Sequence, residues 1–141
     1  MYQDAVTTQE EAITHLFFHC CLKDGEYTSE ELNTLSEKIV IGGLNKELNF
    51  KSEMQKYKGY YRSITDDEAY LDYLVQVIRP TNELALYSYC VELCLSDSVF
   101  AVQEESLLNK IREALSIDTA AGAIILKLIL QRNIVETQKL F

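Results

Sequence analysis

The chain has 141 residues and a formal net charge of −9, with 13 Lys and Arg against 22 Asp and Glu. Proteins bind a phosphate backbone by placing Lys and Arg against it, so this charge argues against nucleic acid as a partner. One Pro and five Gly are too few for the many tight turns of a β-sandwich. The length suits one domain with a core of its own. We therefore expect an all-α, compact single domain over residues 1–141.

Neither end of the chain suggests export or an anchor. An acid, Asp4, stands where a signal peptide needs positive charge, which predicts a cytoplasmic protein. The most apolar stretch, residues 120–130, contains Lys127 and is shorter than the roughly 20 residues that cross a bilayer. We expect it to form a core helix without membrane insertion.

Helix start and stop signals divide the chain into about seven helices. Thr8 with Glu11, and Thr28 with Glu31, have the spacing of a capping box, and Thr65 with Glu68 repeats it. Asp118 is a further expected cap, and Pro80 should end the helix before it. The predicted helices cover residues 8–23, 28–41, 49–61, 65–79, 81–95, 102–116 and 118–138.

A shift of 73 residues superimposes two parts of the chain on each other. Each part has an apolar helix, Leu-x-Asp, a short loop with an aromatic residue, a Glu seven positions after the Asp, and another apolar helix. This predicts two pseudo-symmetric helix-loop-helix repeats, at residues 8–42 and 81–116. The identical pairs are Ala12 with Ala85, Cys21 with Cys94, Leu22 with Leu95, Glu31 with Glu104, and Leu35 with Leu108.

The two loop segments, Leu22 to Glu31 and Leu95 to Glu104, resemble the acidic signature of TerB-like domains. Resemblance to this family implies a compact helical domain in the bacterial cytosol and a non-enzymatic role in tellurite or general stress resistance. It also implies binding of a divalent cation and docking onto protein partners such as a membrane-bound TerC-like complex. The positions that match the signature, and so would serve as metal ligands, are Asp24, Glu31, Asp97 and Glu104.

The same acids have a purely architectural interpretation. An Asp after a helix can bond the following turn, and a Glu in the first turn of the next helix can complete a cap. Two carboxylates in each loop would give at best a weak, open site for Ca²⁺, Mg²⁺, Mn²⁺ or Zn²⁺. In the alternative, the protein is a metal-free interaction scaffold. Both interpretations remain open from the sequence.

His15 and His19 stand four residues apart, which is a spacing used by transition-metal sites. With Thr8 and Glu11 they also form the stripe expected on the solvent-facing side of an amphipathic helix. We favour the solvent-facing interpretation over the metal one.

A basic and aromatic segment lies in the middle of the chain and includes Lys56, Tyr57, Tyr60, Tyr61 and Arg62. Tyr and Arg are enriched in protein interfaces, so these residues could bind a protein partner. The competing interpretation is an amphipathic helix whose tyrosines cover the edge of the core, and we favour it. No phosphate loop or activated nucleophile is recognisable, so the sequence gives no positive indication of an enzyme.

Overall fold

The computed structural model describes residues 1–21, 49–94 and 102–138, without the side chains of 102–104 and 133–138. These residues form seven helices and no strand, which confirms the predicted all-α class. The predicted helix at 28–41 lies outside the described residues, and a short N-terminal helix was not predicted. The helices are α1 (Tyr2–Ala5), α2 (Gln9–Cys21), α3 (Phe50–Tyr61), α4 (Asp67–Ile78), α5 (Glu83–Cys94), α6 (Val102–Ala114) and α7 (Thr119–Gln138).

Side-chain caps fix most of the helix starts. The predicted box at α2 is present: the Glu11 amide donates to Thr8 Oγ1 at 3.2 Å, and the Thr8 amide donates to Glu11 Oε1 at 3.1 Å. Asp118 caps α7 as predicted, accepting from the Ala121 amide at 2.8 Å. The predicted cap of α4 was wrong by one residue, because Asp66 and not Thr65 accepts from the amide of Ala69.

Left-handed residues end two helices. Arg79 follows α4 with a φ of 48°. Pro80 comes next and disfavours helical angles at the residue before it, so the helix stops where the sequence predicted. Ser116 follows α6 with a φ of 57°, and the Ile117 amide donates back to the Arg112 carbonyl at 3.1 Å. This bond satisfies a carbonyl at the end of α6 that has no partner within the helix.

The residues divide into two compact units, Met1–Arg79 and Pro80–Phe141. In the first unit α2 contacts α3 and α4, and α1 contacts α3. Helix α2 is buried on nearly every side, since among its residues only Ile13 and Cys21 are partly exposed, apart from Gln9 and Glu10 at its start. Tyr73 Oη donates to the Val6 carbonyl at 2.7 Å and holds the N-terminal segment against α4.

In the second unit α5 contacts both α6 and α7. Its described buried residues are almost all apolar, and they include Val91, Leu108 and Ile111. Gly122 on α7 permits a close approach, because a Cβ at that position would lie 2.6 Å from Cδ of Arg112. The predicted repeat cannot be compared over its full length, since residues 22–42 lie outside the described residues.

Candidate functional site

The acids that match the TerB-like signature fall mostly outside the described residues. Asp24, Glu31 and Asp97 belong to the segments 22–48 and 95–101, and Glu104 is described only as part of the backbone of α6. Helix α2 leads into the first acidic segment and α5 leads into the second. The side-chain chemistry that can be built from the structure lies in the first unit, around the two histidines of α2.

Both histidines are buried, so the solvent-facing interpretation of the stripe was wrong. His15 has no exposed surface, His19 is 9% exposed and Glu11 is 8% exposed. The side chains of Glu11, His15 and His19 face α3 and α4, and the apolar side chains of Leu16, Phe17 and Phe18 are buried as well. An amphipathic pattern predicts a wet face only for a helix packed on one side, whereas α2 is enclosed by its neighbours.

His15 is bonded through both ring nitrogens. Nδ1 lies 2.6 Å from Tyr60 Oη, and Nε2 lies 2.9 Å from Glu53 Oε1. Tyr60 Oη in turn lies 2.6 Å from Tyr70 Oη on α4. The rings of His15 and Tyr60 are stacked, with an interplanar angle of 8°. One buried chain of hydrogen bonds therefore connects α2, α3 and α4.

His19, one turn further along α2, repeats the same arrangement. Its Nδ1 lies 2.8 Å from Tyr57 Oη, and its Nε2 lies 3.0 Å from Asp67 Oδ1. Each histidine thus has a tyrosine from α3 on Nδ1 and a carboxylate on Nε2. We call these seven residues the His–Tyr network: His15, His19, Glu53, Tyr57, Tyr60, Asp67 and Tyr70.

A single lysine connects this network to the start of α2. Lys56 Nζ lies 3.0 Å from Glu53 Oε2 and 3.1 Å from Glu11 Oε2. Glu11 also accepts from the amides and hydroxyls of Thr7 and Thr8 at 3.0 to 3.4 Å. The two buried carboxylates are therefore satisfied by one half-exposed cation and by the cap of α2.

Burial shifts the pKa of His15 and of the three buried tyrosines of the His–Tyr network. It lowers the pKa of His15 below the ordinary 6.5, although the bond to Glu53 and its charge act in the opposite direction. Burial also raises the pKa of Tyr57, Tyr60 and Tyr70 well above the ordinary 10. At neutral pH the imidazole of His15 and the three phenols are therefore all uncharged.

Glu11 and Lys56, which form the charged edge of the site, have pKa values shifted in the directions that keep them charged. Burial acts to raise the pKa of Glu11, but hydrogen bonds from Lys56, Thr8 and Thr7 outweigh it and hold that pKa below 4.5. Bonds to Glu53 and Glu11 raise the pKa of Lys56 above 10.5. This edge is thus ionised over the whole neutral range.

Neutral His15 fixes one direction of proton donation along its chain. The carboxylate of Glu53 can only accept, so Nε2 of His15 carries the hydrogen and donates to it. Nδ1 then accepts from the Tyr60 hydroxyl, and the Tyr60 oxygen accepts from the Tyr70 hydroxyl. Every donor and acceptor in the chain of three bonds is used once, as a buried polar network requires.

This arrangement is suited to holding helices together and poorly suited to holding a metal ion. All four ring nitrogens of His15 and His19 lie within 3.0 Å of an oxygen atom, so a metal would have to displace a tyrosine or a carboxylate. Within the described residues, no group of three His, Cys, Asp or Glu side chains is placed to hold a metal ion.

The basic and aromatic segment is split between the core and the surface. Tyr57 and Tyr60 are buried, at 1% and 5% exposed, so a partner cannot reach the rings that the sequence offered for binding. Tyr61 is partly exposed, and Lys56 and Arg62 are exposed. Of the five residues predicted to bind a partner, these three keep surface that a partner could touch.

Sequence reasoning missed Glu53, Asp67 and Tyr70 as members of the network. A signal was present for part of it, because Glu53, Tyr57 and Tyr60 follow each other at helical spacing on α3. These three polar side chains of α3 hydrogen-bond to His15 and His19 on α2. Asp67 and Tyr70 come from another helix, and no local pattern connects them to the histidines.

No helix among the described residues is long and apolar enough to pass through a membrane. Comparison of the chain with known protein families, with curated proteins and with solved structures found no match.

Proposed function

We propose that this chain is a non-enzymatic TerB-like module that binds a divalent cation weakly through its two acidic loops and docks onto partner proteins in tellurite or general stress resistance. The four ligands would be Asp24, Glu31, Asp97 and Glu104, completed by water and carbonyl oxygens. Carboxylate oxygens suit hard cations such as Ca²⁺, Mg²⁺ and Mn²⁺.

The observation that carries the proposal is the correspondence between α2 and α5. The shift of 73 residues that aligns the acidic loops also aligns buried positions on these two helices. Thr14 matches Tyr87, Phe17 matches Cys90, Phe18 matches Val91, and Cys20 matches Leu93, and all eight are buried. Each helix is followed by an Asp three residues after its last described residue. The correspondence is limited to these positions, since Glu11, Ala12 and Leu16 are buried while their counterparts on α5, Leu84, Ala85 and Tyr89, are exposed.

The first of these helices is well anchored. The His–Tyr network attaches α2 to α3 and α4 near Asp67, and the capping box fixes its start. An anchored helix positions the chain that leaves it, which lowers the entropy cost of gathering ligands around a cation. The network therefore fixes the helix that precedes Asp24 and does not itself bind the ligand.

The docking surface we propose is the exposed side of α3. Lys51 is exposed there and Arg62 is exposed directly after the helix, next to the partly exposed ring of Tyr61. Lys56 is exposed as well, but its ammonium already pairs with Glu53 and Glu11. These cations stand out in a chain with a net charge of −9, and they favour an acidic protein surface as the partner. Reversing Lys51 and Arg62 to Glu should abolish capture of such a partner without changing the fold.

The cation is tested by stripping the full chain with chelator and measuring its thermal midpoint with Ca²⁺, Mg²⁺, Mn²⁺ and Zn²⁺ in turn. A cation at about 100 times its dissociation constant adds about 2.7 kcal/mol and raises the midpoint by several degrees. The shift should vanish in the Asp24→Asn, Asp97→Asn variant. It should persist in a control, Glu68→Gln with Asp72→Asn, which removes the same charge from exposed positions on α4.

A second candidate function is a metal-free interaction scaffold in which the acids only cap helices. It is favoured by a specific observation: Asp66 and Asp118 each accept a hydrogen bond from the first turn of a helix, and Glu11, in the first turn of α2, accepts from the amide of Thr8 before it. In this case no cation shifts the midpoint, and the Asp24→Asn, Asp97→Asn variant is less stable whether metal is present or not.

A further inference from the structure

The hydrogen bonds around Tyr60 run in the direction that oxidation of its phenol requires. The Tyr60 hydroxyl donates to Nδ1 of neutral His15 at 2.6 Å, and the Tyr60 oxygen accepts from the Tyr70 hydroxyl at 2.6 Å. On the far side of the imidazole, Nε2 donates to the Glu53 carboxylate at 2.9 Å. A phenol that loses an electron becomes a strong acid, so its oxidation is easiest where a base already accepts its hydrogen bond. His15 is such a base.

We propose that Tyr60 is a redox-active tyrosine, which gives one electron to an oxidising radical at the protein surface and its hydroxyl proton to Nδ1 of His15. The O–H bond of Tyr60 breaks and an N–H bond forms, so the products are a neutral phenoxyl, an imidazolium and the radical reduced by one electron. The Glu53 carboxylate, whose side chain is 4% exposed, pairs with the imidazolium. The Tyr70 hydroxyl still donates to the phenoxyl oxygen and stabilises it. This role is additional to the cation site and does not depend on the acidic loops.

Two further tyrosine rings connect Tyr60 to the surface. The ring centroids of Tyr60 and Tyr57 lie 5.5 Å apart, and those of Tyr57 and Tyr61 lie 5.4 Å apart. Tyr60 is 5% exposed and out of reach of a radical in solution, whereas Tyr61 is partly exposed. Rings this close are in van der Waals contact, so an electron can leave Tyr60 in two short steps. Tyr57 itself lies 2.8 Å from Nδ1 of His19, so a base is within reach at the intermediate step as well.

Burial distinguishes a phenoxyl at Tyr60 from phenoxyls at the surface. Exposed phenoxyls of different molecules couple in pairs and decay faster at higher protein concentration, whereas an enclosed one cannot meet another. Flash photolysis of the full chain with a ruthenium polypyridyl sensitiser and a cobalt(III) ammine acceptor generates the oxidant, and EPR and absorption spectroscopy follow the phenoxyl. We expect a phenoxyl whose decay rate does not depend on protein concentration. If every phenoxyl decays by coupling, the proposal is wrong.

Two variants assign this phenoxyl to its residue. Tyr60→Phe should lose the concentration-independent phenoxyl completely. Tyr89→Phe is the matched control, because Tyr89 is 38% exposed on α5, and this variant should keep it. Circular dichroism checks that both variants are folded. A signal that survives Tyr60→Phe, or that is lost equally in Tyr89→Phe, would contradict the assignment.

A third variant separates the redox role of His15 from a purely structural one. In His15→Gln the amide can still accept from Tyr60 and donate to Glu53, but it is too weak a base to take up the phenol proton. The rate of phenoxyl formation at Tyr60 should therefore fall by about 100-fold or more. In the wild type the same rate should be lower in D₂O, because the O–H bond breaks in the step. An unchanged rate in folded His15→Gln, or in D₂O, would show that His15 only holds the helices together.

Discussion

The two units differ in what fills their cores. In the first unit, buried histidines, tyrosines and carboxylates bond to one another among aromatic rings, and Lys56 closes the charged edge. In the second unit, the described core consists of residues such as Val91, Leu108 and Ile111, with Tyr87 as its one buried hydroxyl-bearing side chain. Apolar packing is non-directional, whereas a hydrogen-bonded core requires each partner to be in place.

This difference shows why buried titratable groups are not sufficient evidence for a ligand site. The His–Tyr network has the residue types of a metal or catalytic centre, yet its ring nitrogens already have oxygen partners. Its role is to fix the register of α2, α3 and α4. The cation site we propose lies in the acidic segments and not in the polar core.

The largest difference between the units should appear when the buried carboxylate of Glu53 is removed. Glu53→Ala leaves Nε2 of His15 without an acceptor and Lys56 with one carboxylate fewer. We expect the first unit to lose about 3 kcal/mol or more, because a buried N–H is left unsatisfied and hydrogen bonds to a charged group are lost. Tyrosine fluorescence during urea unfolding measures it, since seven of the nine tyrosines belong to residues 1–79. Glu10→Ala on the exposed side of α2 should change stability by less than about 0.5 kcal/mol, and equal losses would contradict the network.

In the second unit the comparable change is the removal of apolar volume. Leu108→Ala should cost about 2–5 kcal/mol through lost packing and the cavity it leaves. Hydrogen exchange measured by mass spectrometry should show faster exchange in α5 and α6. Because no buried titratable pair is disturbed, the loss should be the same at pH 8 and pH 5. A loss that varies strongly with pH would show that polar groups contribute to this core as well.

A smaller effect is expected from deleting one hydroxyl of the network. Tyr60→Phe removes the donor to His15 Nδ1 and the acceptor of the Tyr70 hydroxyl, which should cost about 1–3 kcal/mol. Tyr70→Phe removes only the last donor of the chain. In a double-mutant cycle the combined loss should be smaller than the sum of the single losses, because both act on one bond. Strict additivity would show that the two hydroxyls do not interact.

The smallest effect is the pH dependence due to His15. Burial lowers its folded pKa, so the unfolded chain takes up the proton first as the pH falls. The stability from neutral His15 is fully present above about pH 6.5 and is lost as the pH falls below that value. His15 is faced by Glu53, Lys56 and Tyr60 from α3 and by Glu11 on its own helix. Tyr70 reaches the ring from α4 only through the Tyr60 hydroxyl. The carboxylate of Glu11, whose pKa lies below 4.5, contributes to this loss only at still lower pH.

The free energy of unfolding of the first unit, measured by urea titration, should therefore fall between pH 7 and pH 5, by no more than about 1.4 kcal/mol per pH unit from this residue. His15→Gln can still accept from Tyr60 and donate to Glu53 but does not titrate in this range. The slope should be shallower in that variant. An unchanged slope would assign the acid sensitivity to other groups.

Local signals in the sequence predicted the helices well. The box of Thr8 and Glu11, the cap at Asp118 and the stop at Pro80 act within four residues, so the sequence displays them directly. The burial of His15 and His19 was not predictable in the same way. It depends on α3 and α4 enclosing α2, and a single helical pattern does not reveal how many sides its neighbours cover.

We propose that a cation binds at the acidic loops and not at the histidines. Mn²⁺ tests it most directly, since this paramagnetic ion broadens the NMR resonances of nuclei near its site. At low Mn²⁺ in the full chain, we expect broadening that is strongest at the amide resonances around Asp24 and Asp97, weaker at the imidazoles of His15 and His19, and lost in the Asp24→Asn, Asp97→Asn variant. Broadening centred on those imidazoles, or none that is site-specific, would contradict the account.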